Sequence, residues 1–166
     1  MPLTIDRKSA HAVHQTPLGP MISVWTDGGL YSLSWDPTPI DDSVAVDSAS
    51  FEGRETLDDR LHEYFATGHA DFQSIEIDTT GWTDFTTQVY RCCRSITSGT
   101  KLTYKELAAR SGNPAASRAV GAAMARNRVL LVIPCHRVVS TGGGLRGFSA
   151  PGGLQTKQYL LDLETR

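Results

Sequence analysis

A cysteine and a histidine stand side by side near the C-terminal end of the chain, in Pro134-Cys135-His136-Arg137. They follow an apolar run, 129–133, which predicts a buried strand. A thiol with an ordinary pKa of about 8.5 is mostly protonated at neutral pH, so a cysteine nucleophile needs a proton acceptor or a positive charge nearby. Neighbours on an extended segment point to opposite faces, so His136 would reach Cys135 only through a bent backbone or a water molecule. The alternative is a structural cysteine that closes a core strand, the commoner case for an isolated Cys-His pair.

The net charge of −2 hides a difference between the two halves of the chain. Residues 1–90 carry four basic and fifteen acidic side chains, a net charge of −11, whereas residues 91–166 carry twelve basic and three acidic ones, a net charge of +9. Clustered Arg and Lys around a candidate nucleophile favour a polyanionic partner, because phosphate contacts are a frequent use of such clusters. The alternative is a solvated basic surface.

Composition excludes several classes of protein. The 166 residues are enough for one ordinary domain or two small ones. No run approaches the ~18 apolar residues of a membrane span, and residues 1–8 contain no apolar signal core. The three cysteines, two of them adjacent as Cys92-Cys93, form neither a disulfide framework nor a zinc-binding spacing. We therefore expect a soluble cytoplasmic protein in a reducing compartment, with no metal and no cofactor.

Short alternating runs divided by turn signals predict a small antiparallel sheet in the first part of the chain. The predicted strands are 12–14, 21–25 and 30–35. Apolar residues at helical spacing then predict a helix whose buried face holds Leu57, Leu61, Tyr64 and Phe65. The run 72–77 predicts one more strand before a boundary within 78–83, so we expect an α/β domain over residues 1–80.

In residues 81–166 the apolar period becomes helical, with a stripe that places Cys92 in the core. Thr103-Tyr104-Lys105-Glu106 is a capping-box pattern that begins a short helix reaching Ser111. Gly112-Asn113-Pro114 predicts a stop followed by a second helix over 114–126. Two short helices joined by a glycine-containing turn predict a helix-turn-helix in a mainly α domain.

The second of these helices is rich in alanine, with Arg118 as the long side chain in its first half. Small side chains let a helix backbone approach another surface closely. One interpretation packs the alanines in a core and leaves Arg118 in solvent. The other lays the helix in a nucleic-acid groove with Arg118 inserted.

Several motifs in one order resemble the O6-alkylguanine-DNA alkyltransferases, also called methylated-DNA-protein-cysteine methyltransferases. They are Tyr104, the run 112–121, Asn127 and the run 134–139, and the resemblance covers about residues 82–164. It implies a ribonuclease-H-like α/β N-terminal domain and an alkyl-acceptor domain over 81–166. It also implies that the protein repairs O6-alkylguanine in double-stranded DNA by moving the alkyl group irreversibly to its own cysteine.

The resemblance assigns the catalytic roles. Cys135 is the acceptor, His136 removes the thiol proton through a water molecule, and Glu164 orients the histidine. Asn127 braces the active-site turn, and Tyr104 donates to N3 of the departing guanine.

Further residues are assigned to the substrate. The carbonyls of Cys135 and Val138 read the exocyclic amine, Ser149 bonds to O6, and Phe148 is a wall of the pocket. Arg118 fills the place of the flipped base, and Ala116, Ser117, Ala119 and Gly121 face the minor groove. Arg126 and Arg128 add positive charge for DNA. Double-stranded DNA is the only partner implied, and we expect a monomer.

The chain departs from the family pattern in the loop after the nucleophile. Ala150-Pro151 reads as an insertion before Gly152-Gly153, and Arg146 is bulky where relatives often have a smaller residue. Three alternatives remain at this point. A non-catalytic alkyltransferase-like protein would lack the acceptor cysteine, a sequence-reading regulator would carry more Asn, Gln or Arg on its recognition helix, and a thiol hydrolase would show turnover.

Overall fold

A computed structural model describes residues 10–35, 53–148 and 150–166. Its N-terminal part is a three-stranded antiparallel sheet in the order β1-β2-β3, confirming the predicted strands. The strands are β1 Ala10–His14, β2 Met21–Thr26 and β3 Gly29–Ser34. Strand β1 and most of β2 bury alternate side chains, as the sequence pattern requires, whereas β3 buries Leu30 and Leu33. Helix α1, Gly53–Thr67, follows and buries the predicted face of Leu57, Leu61 and Tyr64.

Helix α1 ends where its last turn meets the C-terminal helix of the chain. Gly68 has φ of 77° and donates its N–H to the carbonyl of Tyr64 at 2.7 Å. A side chain at Gly68 would collide with the carbonyl oxygen of Leu163. The glycine therefore allows the end of α1 to lie directly against the residue before Glu164.

The strand predicted over 72–77 is wrong. Residues 73–74 form a turn, in which the Gln73 amide donates to the Asp71 carboxylate. Within this segment only Ile77 pairs with the sheet, through a parallel bridge to Leu30. Arg94 donates to the carbonyls of Phe72 and Ile75 at 2.9 and 3.1 Å. These carbonyls are satisfied by a side chain, so the segment needs no strand partner.

Between residues 84 and 139 the described chain forms three α-helices, two short strands and one 3-10 helix. They are α2 Asp84–Arg94, β4 Leu102–Thr103, α3 Tyr104–Arg110, α4 Ser117–Ala125, the 3-10 helix Cys135–Arg137 and β5 Val138–Val139. The chain ends with α5, Leu154–Leu163. Strands β4 and β5 are parallel, with Leu102 opposite Val138 and Thr103 opposite Val139. This pairing ties the start of α3 to the residues that follow the cysteine.

Two local predictions need correction. Helix α4 begins at Ser117 rather than Pro114, because Asn113 accepts the amide of Ala115 on its side chain and that of Ala116 on its carbonyl. The turn so formed contains Pro114. On α2 the fully buried cysteine is Cys93, whereas Cys92 is only half-buried.

Within the described ranges, no helix is long and apolar enough to cross a membrane.

The capping box at α3 is confirmed and can be tested directly. Thr103 accepts the Glu106 amide at 3.1 Å, and Glu106 accepts the Thr103 amide at 2.7 Å. We expect Thr103→Ala to lower the free energy of unfolding by about 1 kcal/mol, because the Glu106 amide loses its partner. Urea denaturation measures this. Thr87→Ala, which removes a hydroxyl inside α2 that caps no helix end, is the control, and equal losses in both variants would contradict the assignment.

Candidate active site

The segment 127–134 delivers the cysteine, and it is a braced turn rather than the predicted strand. Only isolated bridges occur in it, and Leu131 has φ of 68°. A left-handed residue cannot continue a strand. The buried Asn127 side chain accepts the Val129 amide and donates to the Ile133 carbonyl, each at 2.9 Å. Asn127 therefore fixes the turn from inside, in the bracing position that the resemblance implied.

Cys135 begins the 3-10 helix that follows this turn and is only 6% exposed. Its amide bonds to the Ile133 carbonyl at 2.8 Å, and the Arg137 amide bonds to the Pro134 carbonyl at 2.9 Å. A 3-10 helix has three residues per turn, so neighbouring side chains lie on adjacent rather than opposite faces. The backbone at Cys135 and His136 is therefore bent rather than extended.

His136 is fully enclosed, and its two ring nitrogens have different surroundings. Nε2 lies 2.6 Å from Oε1 of Glu164, whereas Nδ1 is buried and has no hydrogen-bond partner among the described residues. Burial lowers the pKa of His136, which outweighs the opposing effect of Glu164. The ring is therefore neutral at pH 7. Because an ionised carboxylate only accepts, Nε2 carries the proton and Nδ1 keeps a free lone pair.

Glu164 is the acidic centre of this site and is 3% exposed. Arg137 donates to it from Nε at 3.0 Å and from Nη2 at 2.9 Å, and the Tyr64 hydroxyl donates at 2.8 Å. Burial by itself would raise the pKa of Glu164, but the hydrogen bonds from His136 and Arg137 outweigh it and lower the pKa to about 2. Glu164 is therefore ionised at any physiological pH.

Sequence reasoning missed Tyr64 and Arg137 as parts of this site. Tyr64 was expected on the buried face of α1, but nothing in its spacing linked it to a residue 100 positions later. Arg137 was counted only as positive charge, yet it is buried and its Nη1 also donates to the Ile96 carbonyl at 2.6 Å. A basic residue inside an apolar run such as 129–139 is the one signal that pointed to a buried ion pair.

Lys157 is a second buried cation that the sequence did not reveal. It is 1% exposed, and its Nζ donates to the carbonyls of Val138 at 2.9 Å and Arg146 at 3.0 Å. Burial lowers its pKa, and a negative charge on Cys135 would raise it. Burial likewise raises the pKa of Cys135, while the Asn127 side chain and the Lys157 charge oppose that rise. The resting thiol is therefore protonated, beside groups that favour its anion.

Tyr104 is half-buried at the first position of α3. Its ring lies beside Gly121 of α4, where an added side chain would touch it at 4.0 Å. Burial raises the pKa of Tyr104 and the nearby Cys135 raises it further, so its hydroxyl keeps its proton at neutral pH. Phe148 is half-buried against the core, whereas Ser149 lies outside the described residues.

Helix α4 and its leading turn display the residues expected to meet DNA. Arg118, Ala119 and Arg126 are exposed. Ala116, Ser117 and Gly121 are half-buried. The structure thus brings six of the seven expected DNA residues to one helix and its two ends.

Arg128 is the exception and corrects the expectation that it joins them. Its guanidinium turns inward, to the carbonyls of Tyr31, Asp78 and Thr80. It also lies over the rings of Tyr31 and Trp82, 3.9 and 4.9 Å from their centroids. A guanidinium engaged in this way is not presented to a phosphate.

In residues 10–35, 53–148 and 150–166, no three His, Cys, Asp or Glu side chains are grouped as a metal site requires.

Comparison with known proteins gives consistent similarities. A family model described as the DNA binding domain of 6-O-methylguanine DNA methyltransferase matches residues 84–166. A methylated-DNA–protein-cysteine methyltransferase of Salmonella typhimurium is 43% identical over 105 residues, which are 63% of this chain but only 60% of that protein. The Methanosarcina acetivorans protein of the same name is 32% identical over 157 residues, covering 93% of this chain and 97% of its own length.

Solved structures agree. The O6-methylguanine methyltransferase of Mycobacterium tuberculosis superposes with a TM-score of 0.76 at 31% identity, covering 94% of this chain and 92% of that one. A structure of the same organism's OGT in complex with DNA also gives a TM-score of 0.76, at 32% identity, over 93% of this chain and 92% of that one. Both share the mixed α/β architecture described above.

The low pKa of Glu164 predicts how the stability of the folded protein depends on pH. A carboxyl whose pKa falls from 4.5 to about 2 on folding stabilises the protein by about 3 kcal/mol at neutral pH. Because the folded pKa is the lower one, this contribution is complete above about pH 5 and is lost as the pH falls toward 2. We expect Glu164→Gln to be less stable at pH 7 and to lose less stability than the wild type between pH 5 and pH 3.

Urea denaturation at several pH values measures both effects. Glu63→Gln, which removes an exposed carboxylate on α1, is the matched control and should follow the wild-type curve. A Glu164→Gln curve parallel to the wild type would contradict the role of Glu164 as a buried anion.

Proposed function

Because the chain belongs to the methylated-DNA–protein-cysteine methyltransferase family, as its motifs predicted, we propose that it repairs DNA by direct reversal. Cys135 takes the O6-alkyl group of a guanine flipped out of double-stranded DNA, once and irreversibly. The observation that carries the proposal is the buried His136-Glu164-Arg137 network, which begins at the residue next to Cys135. A structural cysteine needs no such network, since burial alone keeps a thiol inert.

The proton of the thiol leaves toward Nδ1 of His136, through a water molecule as in the family mechanism. The resulting imidazolium is stabilised by the Glu164 carboxylate on Nε2. Arg137 and Tyr64 keep that carboxylate ionised and aimed. The thiol is deprotonated only as it reacts, so its raised resting pKa is compatible with nucleophilic attack.

In the transfer step Sγ attacks the alkyl carbon, the carbon–O6 bond breaks, and its electron pair stays on the guanine. A donor to N3 lowers the barrier, and Tyr104 holds a proton for that purpose. The product thioether has no ready route back to a thiol, which makes each molecule a single-use acceptor. A thiol hydrolase would need a step that regenerates Cys135.

Recognition of the base uses the backbone beside the nucleophile. The carbonyls of Cys135 and Val138 accept from the exocyclic amine. Val138 already accepts from Lys157, but a carbonyl oxygen has two lone pairs and one remains. Phe148 is the aromatic wall, and the contact of Ser149 with O6 depends on the family resemblance alone.

The proposal for DNA binding is that α3 and α4 form a helix-turn-helix whose second helix enters the minor groove. The small residues Ala116, Ser117, Ala119 and Gly121 permit close approach, and Arg118 replaces the flipped guanine in the stack. Arg126 contacts a phosphate, supported by its exposure and by the charge of +9 on residues 91–166.

The finer domain description is part of the same proposal. Residues 1–80 are a ribonuclease-H-like domain and residues 81–166 the DNA-binding, alkyl-acceptor domain, acting as a cytoplasmic monomer. The non-catalytic alternative, an alkyltransferase-like protein that only binds damaged DNA, lacks the acceptor cysteine, and Cys135 is present here with its proton acceptor.

The transfer reaction predicts a single modified residue. Mixing the protein with duplex DNA containing O6-methylguanine should replace one proton by one methyl group, located at Cys135 by mass spectrometry of peptides. Cys135→Ser should stay unmodified while binding the same DNA within a few-fold. Modification of Cys92 or Cys93, or repeated turnover, would contradict the assignment.

Arg118 should act on base flipping and not on chemistry. Unstacking a paired base costs a few kcal/mol, so Arg118→Ala should slow transfer from duplex DNA strongly. A single-stranded oligonucleotide with O6-methylguanine needs no unpairing and should react almost as fast as with the wild type. Rate constants at saturating DNA measure both. Equal losses of the rate constant on both substrates would contradict the stacking role of Arg118.

A further inference from the structure

We propose that Arg128 is a positioning residue: it holds the active-site turn against the N-terminal sheet and so fixes the place of Cys135, without contacting DNA. The inference rests on the proposed alkyl transfer to Cys135. It concerns the link between the sheet and that reaction.

The guanidinium of Arg128 joins two segments that are far apart in sequence. Nε donates to the Tyr31 carbonyl at 2.8 Å, and Nη2 donates to the carbonyls of Asp78 and Thr80 at 2.8 and 3.0 Å. The planar group lies over the Tyr31 and Trp82 rings. Such a site needs a flat, forked cation, which lysine does not provide.

The segment at Asp78, one of the two that Arg128 contacts, is itself held in place by hydrogen bonds. The buried carboxylate of Asp78 accepts from the Thr26 hydroxyl and, at 2.8 Å, from the Thr80 amide. The Asp78 amide donates to the Leu30 carbonyl at 2.9 Å. The carbonyls that receive Arg128 are therefore fixed to β2 and β3.

The backbone at and after Arg128 is also hydrogen-bonded to the N-terminal sheet. The Leu33 amide donates to the Arg128 carbonyl at 2.8 Å, and the Leu130 amide donates to the Leu33 carbonyl at 3.0 Å. Leu33 and Val129 thus form a parallel bridge at the edge of β3. The first residues of the active-site turn are added to the N-terminal sheet.

A short chain of hydrogen bonds then leads to the nucleophile. Asn127, the neighbour of Arg128, donates to the Ile133 carbonyl, and the same carbonyl accepts the amide of Cys135 at 2.8 Å. Releasing Arg128 would let residues 127–129 shift, and the Ile133 carbonyl would shift with them. A displacement of about 1 Å at a reacting atom costs up to about a hundredfold in rate.

The test compares Arg128→Lys and Arg128→Ala with Arg91→Ala, an exposed arginine on α2. Transfer rate constants are measured at saturating O6-methylguanine DNA, duplex and single-stranded, per active molecule and well below each melting temperature. We expect both Arg128 variants to lose between about tenfold and a hundredfold on both substrates. DNA affinity and its salt dependence should stay within twofold of the wild type, and Arg91→Ala should match the wild type throughout.

Other outcomes would overturn the proposal. Variants that melt earlier but react at the wild-type rate would show that Arg128 serves stability alone. A loss of DNA affinity with a shallower salt dependence, rescued by lysine, would show a phosphate contact. If Arg128→Ala does not fold, Tyr31→Leu, which removes the ring under the guanidinium and leaves the backbone carbonyl that accepts from Nε, should show a smaller rate loss of the same kind. Failure of the wild type to transfer an alkyl group would instead reject the proposed function itself.

Discussion

The buried carboxylate of Glu164 is the interaction on which the rest of the site depends. An ionised group at 3% exposure is stable only when opposite charge and hydrogen bonds replace its hydration. Arg137, His136 and Tyr64 supply them from the nucleophile segment and from α1. Since Arg137 is also buried, loss of Glu164 would leave a second charge unpaired. Helix α1, the segment that follows Cys135 and the residue after α5 are therefore held together at Glu164.

Burial and the nearby cations set the protonation of the groups around this carboxylate. Burial lowers the pKa of His136 and the charge of Arg137 lowers it further, which outweighs the opposing effect of Glu164, so the ring stays neutral and its Nδ1 remains a base. Burial raises the pKa of the Cys135 thiol, which therefore keeps its proton at rest. Lys157 supplies positive charge near Cys135 and fixes the Val138 carbonyl. In the proposed transfer, a buried thiol with a base nearby is shielded from other electrophiles and reacts with the alkyl group brought to it.

The N-terminal sheet contributes to the site by holding the turn that precedes Cys135. Its edge strand β3 carries the bridge to Val129, and Arg128 ties the same turn to Tyr31 and Asp78. A second link runs from Trp82 to Tyr90, whose hydroxyl donates to the Ala123 carbonyl of α4 at 2.6 Å. The turn bearing the nucleophile and the helix proposed to meet DNA are thus packed against one framework.

The sequence by itself determined those features that depend only on residues close together in the chain. The strands of the sheet, the capping box at Thr103 and the Cys-His pair follow from local periodicity and side-chain chemistry. The family was indicated by the order of its motifs along the chain, from Tyr104 to the run 134–139. Local patterns failed where a distant partner decides the conformation. An apolar run at 129–133 became a turn because Asn127 satisfies its backbone, and Arg128 turned inward to carbonyls up to 97 residues away. Periodicity records how one element is buried, whereas the partner of a buried charge is fixed only when separate elements pack together.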